Sequence, residues 1–91
     1  MASLYMETNV ANATRGQLAS ENQEIGVVLH RMATAVGSLQ NNWYGNSASQ
    51  FFQEFTQWHD VMGKMMAEMT TMTARLQKEI SQWEQTAERF G

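Results

Sequence analysis

The sequence contains no proline and no cysteine in its 91 residues. Proline breaks a helix because it removes a backbone hydrogen bond and clashes with the preceding turn. Its absence therefore permits long uninterrupted helices. Without cysteine there is no disulfide and no thiolate nucleophile or metal ligand. The absence of cysteine is compatible with any cellular compartment and selects none.

Long charged and long apolar runs are also missing. The net charge is −3, and no cluster of Lys and Arg is present to follow a phosphate backbone, which argues against a nucleic-acid partner. Residues 1–9 lack the basic and apolar regions of a secretory signal peptide. No apolar run approaches the length that spans a bilayer. If this protein leaves the cell, we expect it to do so without a cleaved signal peptide.

The first half carries a helical pattern, which predicts a helix over about residues 9–40. From Ile25 onward its steps alternate between four and three residues, a period suited to a partner helix. The apolar positions of this stripe are Ala11, Thr14, Leu18, Ile25, Leu29, Met32, Val36 and Leu39.

A turn is predicted over about residues 41–47, where Gly45 and three asparagines tolerate backbone conformations that other residues resist. Ser47 and Gln50 have the spacing of a capping box, which predicts that Ser47 caps the following helix. That helix is predicted over about residues 48–89. The chain is therefore predicted to be one all-α domain over 1–91, an antiparallel helix-turn-helix hairpin.

The second half has two apolar rows with seven-residue spacing. The main row is Ala48, Phe52, Phe55, His59, Met62, Met66, Met69, Thr73, Leu76, Ile80, Trp83, Ala87 and Phe90. A second row lies one position earlier and consists of Phe51, Trp58, Met65 and Met72. One hairpin cannot cover both rows, so the second is predicted to be a dimer interface, hidden when two hairpins form a four-helix bundle.

The turn contains Trp43-Tyr44-Gly45, a Trp-x-Gly tripeptide near the middle of a short chain that lacks proline and cysteine. In this setting the chain resembles the WXG family of small early-secreted-antigen-like proteins, which type VII secretion systems export. The resemblance covers roughly residues 8–90. It implies antiparallel dimers of helical hairpins, with Trp43 and Gly45 as a recognition motif that contributes to a composite export signal.

The resemblance also implies partners and a location. We expect a homodimer or a heterodimer with a WXG-type paralogue, an encounter with the type VII secretion ATPase, and secretion from the bacterial cytoplasm without a cleaved signal. The family's export motif is Tyr, three residues and then Asp or Glu, and this chain lacks that tyrosine. Ile80 and Glu84 have the spacing of a degenerate version. We expect Ile80 to be a core residue, and export to depend on a partner with its own motif.

The sequence also contains features that suit other functional classes. Methionines near His59, with His30 at the same predicted height, are donors that suit Cu(I), but methionine at helical spacing is more often adaptable core packing. We therefore predict no metal and no cofactor. Gly26 and Gly63 are also predicted to lie level across the hairpin, either by coincidence or as a point of close helix approach. No nucleophile-base pair or phosphate loop is present, so we predict no enzymatic activity. A cytosolic helical adaptor, not exported, remains the alternative function.

Overall fold

A computed structural model describes the backbone of residues 5–90 and the side chains of residues 5–86. Two helices form an antiparallel hairpin: α1 runs over Thr8–Gln40 and α2 over Asn46–Phe90. No strand occurs within residues 5–90, so the predicted all-α hairpin is confirmed. The 45 residues of α2 rise about 67 Å in an α-helix, which matches the 68 Å long axis of the molecule.

The main apolar row of α2 faces α1. Ala48 and Ile80 are buried, at 2% and 0% exposure, and each described residue of the row between them is half-buried. The side chains of Ala87 and Phe90, which the pattern places in the same row, lie outside the described residues. Burial along the whole described row is what a heptad pattern produces when one helix packs along another.

The face that α1 turns toward α2 differs from the predicted stripe. Its buried and half-buried positions include Leu18, Asn22, Gly26, Leu29, Ala33 and Val36. Ile25, Met32 and Leu39 were predicted to face the partner helix, but they are 40%, 41% and 40% exposed. The prediction failed because it followed the largest apolar residues, whereas α1 packs through a row that includes smaller ones.

Asn22 and Gly26 explain why that row is preferred. The Asn22 side-chain amide donates to the backbone carbonyl of Met66 at 3.1 Å and to the Thr70 hydroxyl at 3.3 Å. A Cβ atom on Gly26 would lie only 2.9 Å from the terminal methyl of Met66, so glycine allows the close approach. Gly63 takes no part in this close approach, because a Cβ on Gly63 would meet nothing within 4 Å.

Candidate protein-protein interface

The turn end of the hairpin begins with a hydrogen-bonded exit from α1. The backbone N–H of Asn42 donates to the carbonyl of Leu39 at 2.9 Å, and its side-chain amide donates to the carbonyl of Ser38, also at 2.9 Å. The Tyr44 hydroxyl donates to the carbonyl of Asn41 at 3.0 Å. These bonds satisfy carbonyls that the end of a helix leaves without partners, so the polar residues of the turn fix the direction in which the chain leaves α1.

Gly45 starts the second helix. Its φ is +119°, a conformation that residues with a Cβ rarely adopt, and its carbonyl accepts from the N–H of Ser49 at 3.0 Å. This bond makes Gly45 the cap of α2, so the expected Ser47 cap is wrong and the helix begins at Asn46. The glycine of the tripeptide therefore has a backbone role that can be read from its geometry.

Trp43 packs on the second turn of α2. Its ring centroid lies 5.7 Å from that of Phe51 and 5.8 Å from that of Phe52, in the tilted and edge-on arrangements that aromatic pairs favour. Phe52 belongs to the main row and Phe51 to the second row. Trp43 remains 36% exposed, so it covers the end of the hairpin core and still presents part of its indole to solvent.

The second row of α2 is exposed along its whole length. Phe51 and Trp58 are 39% and 42% exposed, and Met65 and Met72 are each 55% exposed. These values contrast with the buried and half-buried main row one position away. The structure therefore leaves the row that was predicted to form the dimer interface uncovered by the hairpin, while its burial by another chain stays a prediction.

The exposed apolar residues of α1 lie on the same side of the hairpin as this row. Ile25, Val28 and Met32 of α1 line one open depression of about 450 Å³ together with Trp58 and Met62 of α2. A second depression shares Glu21, Ile25 and Met62 with the first. It adds five residues: Leu18, Asn22, Met65, Met66 and Met69. We call this surface the apolar groove: its walls are Ile25, Val28 and Met32 on α1 and Trp58 and Met65 on α2, and its floor includes Leu29 and Met62.

The residues considered for an export signal have different environments. Ile80 is completely buried at 0% exposure, Trp83 is half-buried and Glu84 is exposed. Only the acidic member of the candidate pair is therefore presented to solvent. The burial of Ile80 agrees with the expectation that it is a core residue, and the assignment of an export role to the pair stays a prediction.

The two histidines do not share an environment. His59 is half-buried and its ring lies 5.7 Å from that of Phe55, whereas His30 is exposed. Within the part of the chain that the structure describes, no group of three or more His, Cys, Asp or Glu side chains is placed to hold a metal ion. The methionines around His59 instead line the floor and one wall of the apolar groove.

Sequence reasoning missed three features of this surface. Asn22 carried no signal other than its place on the inward side of α1, and the Tyr44 hydroxyl bond depends on a turn geometry that the sequence does not specify. The α1 wall of the groove was assigned to the hairpin core. The sequence does contain a signal for this wall, because α1 carries two separate apolar rows. One row repeats at steps of three, four and seven residues and consists of Ile25, Val28, Met32 and Leu39. The row beside it includes Leu29 and Val36.

Neither helix, over the residues described, is long and apolar enough to cross a membrane. No curated protein and no solved structure gives a significant match to the chain. A family model described as proteins of 100 residues with WXG matches residues 6–88. Members of this family are small helical proteins that type VII systems secrete, they typically pair with each other or with other components of the secretion system, and they are not known enzymes. With its hairpin of two helices and with Trp43 and Gly45 in the turn between them, this chain belongs to the WXG100 family.

Proposed function

We propose that this chain is a small effector or chaperone-like partner that a type VII secretion system exports as a dimer, and that it acts by protein-protein interaction. The apolar groove carries this proposal. It unites exposed apolar residues from both helices on one side of the hairpin. Exposed apolar strips of this kind mark interaction sites, and a facing hairpin would complete a four-helix bundle around the groove.

The turn and the C-terminal part of α2 would serve recognition by the export machinery. Trp43 is partly exposed beside Phe51, so it borders the proposed dimer face and can form a surface that exists only in the assembled bundle. We propose that the secretion ATPase reads this end together with a tail motif. Because Ile80 is buried and no tyrosine precedes Glu84 at the family's spacing, the tail motif would come from the partner subunit.

The dimer face can be tested by charge. Trp58→Asp together with Met65→Asp should abolish association with WXG-type partners, since two carboxylates would be buried without counter-charges. A matched pair separates the face from the effect of charge itself: Met32 lines the groove and Val27 does not, yet both are 41% exposed. Met32→Asp should weaken association and Val27→Asp should not, as measured by sedimentation and co-purification. Equal effects of the two single variants would contradict the proposed interface.

Export can be tested in cells that have the type VII machinery. The unmodified chain should appear in the medium when other WXG-type proteins are present, and the Trp58→Asp/Met65→Asp variant should be retained inside. Val27→Asp serves as the control for folding and charge. Robust secretion of the double variant would contradict export as a dimer, and robust secretion from cells without any other WXG-type protein would contradict dependence on a partner's tail.

A further inference from the structure

We infer that three exposed methionines, Met32, Met65 and Met72, are sites of reversible oxidation by hydroperoxides, and that their conversion to sulfoxides prevents a partner from docking on the apolar groove. This inference rests on the proposed function, in which the groove is a dimer face, and adds a control of that same face. Two observations carry it: where the chain places its sulfur atoms, and which of these atoms solvent reaches.

Methionine supplies all the sulfur of this chain, because the sequence has eight methionines and no cysteine. Five of the eight lie within residues 62–72, in one stretch of α2. A cysteine thiolate, where a protein has one, competes with methionine for peroxides. In this chain no thiolate competes, so oxidation of sulfur by a peroxide falls on thioethers that are concentrated in one segment.

The hairpin divides the methionines of this region into two groups by exposure. Met65 and Met72 of the second row are each 55% exposed, and Met32 on the α1 wall of the groove is 41% exposed. The methionines of the main row are half-buried, and these are Met62, Met66 and Met69. Because an oxidant must reach the sulfur atom, susceptibility follows exposure. A peroxide therefore reaches the exposed group first.

The half-buried group has a different task, which Met66 illustrates. Its terminal methyl would lie 2.9 Å from a Cβ on Gly26, so this side chain fills a point where the two helices approach closely. Oxidation of such a residue would loosen the hairpin itself, because sulfoxide formation makes a packed apolar side chain polar. Oxidation of the exposed group leaves the contact between α1 and α2 intact, so the two groups separate an effect on docking from an effect on folding.

The reaction needs a hydroperoxide as its oxidant. A lone pair of the thioether sulfur takes one oxygen from the peroxide, so that an S–O bond forms while the O–O bond breaks. With hydrogen peroxide, the second oxygen leaves as water and carries both protons. The sulfur is oxidised by two electrons and the peroxide is reduced by two. Methionine sulfoxide reductases reverse the change, with one enzyme for each epimer of the sulfoxide.

A sulfoxide at Met65 would find no free hydrogen-bond donor among the described side chains of the depression that it lines. Its apolar neighbours there are Leu18, Ile25, Met62, Met66 and Met69. The Asn22 amide already donates to the carbonyl of Met66 and the hydroxyl of Thr70, and the carboxylate of Glu21 only accepts. Burial of a polar oxygen without a donor is unfavourable, so oxidation weakens the docking of an apolar partner surface.

Treatment of the unmodified chain with hydrogen peroxide tests the order of oxidation. Tandem mass spectrometry should find sulfoxide at Met32, Met65 and Met72 before the main-row methionines, while the helical circular dichroism stays unchanged. Association with the WXG-type protein that co-purifies with the chain should fall about tenfold or more, and the two reductases should restore it. In that complex, Met65 and Met72 should be oxidised more slowly than in the free chain, because the partner covers them.

Leucine variants identify the responsible sulfur atoms, since leucine replaces methionine with little change in volume. The variant Met32→Leu/Met65→Leu/Met72→Leu should associate like the unmodified chain and should keep its association after peroxide treatment. The matched control Met62→Leu/Met69→Leu removes two half-buried thioethers and should stay as sensitive to peroxide as the unmodified chain.

Three results would overturn the inference. Main-row methionines could be oxidised as fast as the exposed group, or the oxidised chain could associate as well as the untreated one. Loss of association in the peroxide-treated leucine triple variant would place the reactive group elsewhere. If any of these holds while Trp58→Asp/Met65→Asp still abolishes binding to the WXG-type protein, the proposed function stands and only the oxidative control is lost. If that double variant binds normally, the groove is not a dimer face and both fail.

Discussion

The two apolar rows of α2 differ by one position in sequence and by their whole environment in the structure. The main row, from Ala48 through Ile80, is buried or half-buried against α1. The second row of Phe51, Trp58, Met65 and Met72 is between 39% and 55% exposed. Both rows are apolar and both repeat every seven residues, so their composition does not distinguish them.

The rows differ because only the main row is covered by another helix of the same chain. A single helix can cover only one stripe of α2, and the contacts of Asn22 and Gly26 hold α1 against the main row. Ile25, Val28 and Met32 of α1 consequently lie on the groove side, where they extend the uncovered surface. The hairpin thus has one face covered by its own helices and one uncovered face, and the two faces should respond to substitution in different ways.

The largest expected difference is between Ile80 and Met72. Ile80→Ala should lower the free energy of unfolding by about 2–5 kcal/mol, because it leaves a cavity at a completely buried site. Met72→Ala, at a site that is 55% exposed, should have little effect on the monomer and should act only where chains associate. Chemical denaturation at low and high protein concentration measures both. Equal losses at low concentration would contradict the assignment of the two rows.

The orientation of both rows depends on Gly45, because its backbone sets the angle at which α2 leaves the turn. Gly45→Ala should destabilise the hairpin by about 1–2 kcal/mol, since a Cβ at a φ of +119° is strained even in open space. Gly63→Ala is the matched control: its site is equally open but helical, so the change should stabilise by about 0.5–1 kcal/mol. Thermal unfolding of the two variants should move in opposite directions.

On α1, a variant at Asn22 tests what holds this helix in register against the main row of α2. Asn22→Ala removes the hydrogen bonds to Met66 and Thr70 and should cost about 1 kcal/mol. It should also let the helices slide, which would lower association through the groove although no groove contact is removed. Gln23→Ala, at the exposed neighbouring position, is the control. A loss of hairpin stability with unchanged association would show that the Asn22 bonds do not set the register.

The sequence predicts the hairpin and the exposed row of α2, because both depend on periodicity alone. Seven-residue spacing in the second half identifies two rows, and one partner helix cannot cover both. The α1 face was mispredicted because it is decided by close approach at Gly26 and by a polar contact at Asn22, which size and hydrophobicity do not reveal. The cap of α2 was mispredicted because Gly45 supplies the first carbonyl through its backbone, while the Ser47 pattern remained unused.

The most direct test of the account is the environment of Trp58 as the chains associate. Trp43→Phe together with Trp83→Phe leaves Trp58 as the single tryptophan of the three, and Trp58 is 42% exposed in the hairpin alone. Its emission should shift to shorter wavelength as protein concentration rises, with the midpoint that sedimentation gives for dimer formation. An emission maximum that stays constant while sedimentation shows the monomer becoming a dimer would contradict burial of the second row by another chain.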